Sequence, residues 1–227
     1  MKSEQQIQDA ARVIVSFTDS YTQNQQEKQN EQIESESTSS ITLIVSSLRQ
    51  LRNQFWNNNN TCKLVIQIPK LLRSLSSLSL YKIGTHFGLE LNQQRLEVRS
   101  WSRECLYQIQ RRGDEQDQQD LVNNEYGRVM FITFCTAGGI SDEQDEEIYF
   151  GLENISVFLK DLHEGRTYQP SIQPLPLLAR RTEEQIEEEG ADEEIDTQMK
   201  NNGLCDVIKS NAKWAKATTL NNFINRN

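Results

Sequence analysis

Little in this sequence breaks or staples a chain. Four prolines and ten glycines in 227 residues leave few enforced stops, which favours helices over a turn-rich β architecture. The four cysteines, Cys62, Cys105, Cys135 and Cys205, stand tens of residues apart with no CxxC pair. That spacing excludes a local zinc or redox motif, and four free thiols in a reducing cytoplasm are the expectation. The two histidines, His86 and His163, are equally remote from each other, so neither a Cys/His metal site nor a cofactor is expected. No apolar run reaches the length of a membrane-spanning helix. The polar, early-acidic start MKSEQQIQDAARVIV is unlike a secretory signal. A basic excess is absent as well: 24 Lys+Arg against 33 Asp+Glu give a net charge of −9, the wrong sign for a nucleic-acid partner. GxSxG, P-loop, HExxH and GxGxxG patterns are all missing, so the expectation is a non-catalytic protein.

What is present is helical patterning, diluted. The apolar fraction is 36%, low enough to predict polar segments outside the core. Apolar side chains at Ile7, Ala10, Ala11, Ile14 and Val15 predict an amphipathic helix over 4–24. A polar linker is expected over 27–62, interrupted by helical patterning at Ile41–Phe55. Leu72, Leu75, Leu78 or Leu80, Ile83, Phe87 and Leu91 predict one long helical stripe. The Leu72/Leu75/Leu78/Leu80 spacing is also that of a leucine-rich nuclear export signal, but a core-facing stripe makes the same spacing for packing reasons. Leu96–Ile109 reads as a further amphipathic helix, and Gly113–Asp120 as an acidic turn. Arg128–Ile140 is the least polar stretch; periodicity alone leaves it a strand or a buried helix. Ser141 or Asp142 is expected to cap a helix carrying Ile148, Leu152, Ile155, Phe158, Leu159 and Leu162 on one face. After a proline connector, Thr182–Asp196 carries nine acidic residues and no basic one, and is expected to be a solvated insertion within 171–197. A last helix is predicted over 206–223.

Four features in order resemble the Bcl (B-cell lymphoma two) family of apoptosis regulators. Leu80-Tyr-Lys-Ile-Gly84-Thr85, with Phe87 three residues beyond the glycine, is similar to the family's third homology motif. Glu125-Tyr126-Gly127-Arg128, followed by VMFITFCTAGG, is similar to its first, and Met199–Ile208 faintly to its second. Residues 3–26 resemble the first helix of the Bak branch. The resemblance implies an all-α, Bcl-like bundle of about seven to eight helices around a hydrophobic central helix, with long polar loops and a single domain over 1–227. It implies a surface groove, lined by Phe87, Leu91, Tyr126, Gly127, Arg128, Val129 and Phe131, that takes killer-motif helices of other family members. Arg128 would pair with the ligand's aspartate, and Gly127 would admit its backbone. Leu80, Ile83, Gly84 and Thr85 form the chain's own killer-motif-like segment. Thr85 replaces the acid of that motif, so the resemblance implies the survival-promoting side; the Bak-like first helix implies the alternative, a pro-death effector that permeabilises the mitochondrial outer membrane. Implied with it are a cytoplasmic chain that can associate with that membrane's surface, and homo- or heterodimers. The family's apolar tail anchor is not seen in this sequence, so stable anchoring is expected to need a truncated segment or a partner. An unrelated helical adaptor protein is the reading from outside the family.

Overall fold

A computed structural model describes residues 2–27, 38–57, 61–83, 89–135, 145–168, 170–200 and 206–224. As the missing breakers predict, the fold is all-α. The described residues form eleven helices: α1 (Lys2–Glu27), α2 (Thr38–Asn57), α3 (Thr61–Gln67), α4 (Leu71–Leu78), α5 (Leu89–Arg112), α6 (Glu115–Asn123), α7 (Tyr126–Ile132), α8 (Asp145–Glu164), α9 (Pro176–Glu187), α10 (Ala191–Gln198) and α11 (Val207–Ile224). Among these residues the only β-type pairing is an isolated antiparallel bridge between Arg166 and Ile172. The helices gather into two compact units, Met1–Gly113 and Asp114–Asn227, where the sequence suggests one domain over 1–227.

In the first unit α1 packs on α2, α2 on α5, and α4 on both α5 and α1. The predicted stripe of α1 is buried at Ile7, Ala10, Ala11 and Ile14. The helical patterning expected at Ile41–Phe55 is α2, so the polar linker reading of 27–62 gives way over 38–57. There Ile41, Ile44, Val45, Leu48, Leu51 and Phe55 are buried, at the three-four spacing of one helical face. Serines and asparagines on the other face lower the average hydropathy without disturbing the stripe. The long Leu72–Leu91 helix is also corrected. Leu71, Leu72, Leu75 and Leu78 are core, so the export-like spacing belongs to packing, but α4 stops at Leu78. Beyond it Leu80 N–H donates to Ser77 O, Tyr81 N–H to Leu78 O and Ile83 N–H to Leu80 O, tighter i→i+3 turns that end an α-helix. Lys82 is left-handed at φ 49°. From α5, Arg103 donates to Ser79 O at 3.0 Å and Arg99 to Tyr81 O at 3.3 Å. Cationic donors thus satisfy carbonyls at the negative end of α4, which explains why Arg99 and Arg103, one turn apart on α5, are buried.

The second unit repeats a pattern present in the first. A short helix, a second short helix and a long one follow each other three times: α3, α4, α5 with 7, 8 and 24 residues; α6, α7, α8 with 9, 7 and 20; α9, α10, α11 with 12, 8 and 18. Each time the middle helix starts from a left-handed residue: Lys70 (φ 65°), Glu125 (φ 59°) and Gly190 (φ 82°). Each time two or three residues separate the first helix from the second. Within each unit the long helix of a repeat packs on another long helix, α5 on the preceding α2 and α8 on α11.

Three further expectations change in this unit. Gly113–Asp120 is not an acidic turn: from Asp114 on it caps and opens α6. The Asp114 side chain accepts from the Gln116 and Asp117 N–H groups, and Asp117 accepts from the Asp114 N–H, a reciprocal capping box with acids at the positive helix end. The acidic insertion 171–197 is not solvated throughout, because α9 and α10 bury Leu178, Ala179, Ile186, Ala191 and Ile195. Burial of each large aliphatic chain contributes about 1.5–3 kcal/mol, enough to seat a helix whose other face is carboxylates. The apolar run from Arg128 is a seven-residue helix, α7, ending at Ile132. Its remainder from Thr136 to Ile140, with the Ser141 or Asp142 cap, lies outside the described residues. The predicted face of α8 is buried at all six positions, Ile148 to Leu162.

Candidate interaction site at α7 and α9

Glu125, Tyr126, Gly127 and Arg128 open α7, and α9 lies across them. Tyr126 is buried edge-on against Phe158, with ring centroids 4.8 Å apart. The next residue, Gly127, faces α9: a Cβ built on it would lie 2.7 Å from Thr182 Cγ2 and 3.2 Å from Gln185 Oε1. Only a residue without a side chain permits that approach. Arg128 is 45% exposed at its side chain; its Nε donates to Glu189 Oε1 at 2.5 Å and its Nη1 to Glu125 Oε2 at 3.2 Å. Those bonds, Glu189's first, hold the Arg128 proton more firmly than in a free arginine.

Polar contacts fasten the rest of α9. Gln185 Nε2 donates to Val122 O at 2.9 Å, and Arg181 Nη1 to Asn123 Oδ1 at 2.7 Å. His163 Nε2, at the end of α8, lies 2.7 Å from Glu183 Oε1, both side chains being almost fully buried. Beside it Glu187 titrates above the ordinary carboxylate range, through desolvation first and then the charges of Glu183, Asp192 and Glu184. The connector into α9 is braced in turn. Tyr168 donates its hydroxyl to Asp161 Oδ2 at 3.2 Å, and the Arg166 guanidinium stacks 5.3 Å over the Tyr168 ring. Burial pushes the Asp161 carboxyl up, against the opposing pull of Tyr168 and Arg166.

The structure does not place the expected groove residues in one unit. Tyr126, Gly127, Val129 and Phe131 are buried within the second unit, with Arg128 at its surface. Leu91 is half-buried in the first turn of α5, and Leu80 and Ile83 are half-buried in the turns after α4, all in the first unit. Gly84, Thr85 and Phe87 lie outside the described residues. Conversely, the partners of Gly127 and Arg128, which are Thr182, Gln185 and Glu189, were hidden in the acidic tract. Leu178, Thr182 and Ile186 at four-residue spacing are the signal that marks their helix. The thiols of Cys62, Cys105 and Cys135 donate to Gln108 O, Leu48 O and Glu194 Oε2, and burial pushes the Cys105 thiol far up; Cys205 lies outside the described residues. No protein-family model and no curated protein matches the chain.

Proposed function

We propose that this chain is a non-catalytic helical-repeat adaptor that binds other proteins. The observation that carries this reading is the threefold succession of short, short and long helices with a left-handed residue at the same corner. Chains of this construction pack each repeat on its neighbours and use the accumulated surface for partners. Trp101 of α5 supports it: half-exposed, it lies 5.2 Å and 5.9 Å from the guanidinium carbons of Arg49 and Arg52 on α2, with Glu97 and Glu104 pairing those arginines. Tryptophan and arginine are the side chains that dominate binding surfaces. The test is selection of a displayed peptide library on the immobilised full chain. A convergent peptide family that Trp101→Ala no longer retains is expected; absence of any convergent family refutes the reading.

A second reading rests on α9 and the resemblance to apoptosis regulators. Thr182 over Gly127 and Glu189 on Arg128 reproduce, within the chain, the contacts that the resemblance assigns to a killer-motif helix. On that reading α9 holds the site in cis and yields it to killer-motif helices of Bcl-family partners, on the survival-promoting side and at the mitochondrial outer membrane surface. Among the described residues no helix is long and apolar enough to cross a membrane, so such association would be peripheral or partner-borne for this part of the chain. Fluorescence polarisation with labelled killer-motif peptides tests it: submillimolar binding that Arg128→Ala weakens is expected, and binding to none of them sinks it. Dye release from liposomes separates a guardian, which blocks leakage, from the effector alternative, which causes it.

A further inference from the structure

No further inference is drawn: the strongest candidate, the patch of exposed carboxylates at the α9–α10 corner of the second unit (Glu187, Glu188, Asp192 and Glu193), is an acidic cluster with nothing in the structure to show what cation or basic partner covers it.

Discussion

Replacing Gly127 by alanine tests the seat of α9 directly. The added methyl would stand 2.7 Å from Thr182 Cγ2, whereas ordinary contact begins at 3.4 Å. The helices must therefore part by about 0.7 Å (3.4 − 2.7), or Thr182 must turn and give up its 2.9 Å bond to Leu178 O. Overpacking of this kind costs about 1–3 kcal/mol. Alanine's better helix propensity returns up to about 1 kcal/mol, so with the full return the net loss is roughly 0–2 kcal/mol. Thr182→Ser removes the offending methyl and keeps the hydroxyl, so the double variant should recover about 1 kcal/mol, read as a coupling energy. Urea titration followed by Trp214 fluorescence, with Trp56 and Trp101 replaced by phenylalanine, reports the second unit alone. If Gly127→Ala is stabilising, or if Thr182→Ser adds nothing to it, α9 does not rest on α7 and the reading in which α9 holds the site in cis loses its geometry.

Four other outcomes are expected. Ile186→Ala should lower the urea stability of the second unit by about 2–5 kcal/mol, and deleting 182–196 should abolish its cooperative unfolding, because the acidic tract is core; a solvated insertion would leave both unchanged. Arg128→Ala should cost only about 0–1 kcal/mol, since the Glu189 and Glu125 pairs are partly exposed, and the difference should shrink in high salt. Asp161 has a folded pKa raised by burial, so the native state binds its proton more tightly than the unfolded chain. Stability from this group is greatest below the unfolded value and falls as pH rises through the raised one; Asp161→Asn should flatten that slope in melting curves from pH 4 to 8. Lys70→Gly and Glu125→Gly should each raise the melting midpoint through about 1 kcal/mol of relieved left-handed strain, and Gly190→Ala should lower it by a similar amount.

The long helices were legible because each sets four to six apolar positions on one face: Ile7 to Ile14 in α1, Ile41 to Phe55 in α2 and Ile148 to Leu162 in α8. Short helices were not. Two turns of α10 offer only Ala191 and Ile195 to the core, too few positions for periodicity to rise above a background of carboxylates. The corners were invisible for another reason. Lysine and glutamate at Lys70 and Glu125 carry no letter that announces positive φ, whereas Gly190 does. Buried arginine was equally unannounced, since Arg99 and Arg103 look like surface positions until the end of α4 arrives above them. At the candidate site the sequence supplied Gly127 and Arg128, but their partners lie more than fifty residues downstream, beyond any local pattern.

The recurring left-handed corner has a consequence for how damage spreads. Within the second unit α8 packs on α9 and α11, and α10 on α11, so no repeat there can leave without uncovering its neighbour. Loss of the Gly190 corner should therefore open amide exchange across α8 to α11 in one step. Damage would then halt at the boundary near Gly113 rather than inside a unit, leaving one half of the chain folded.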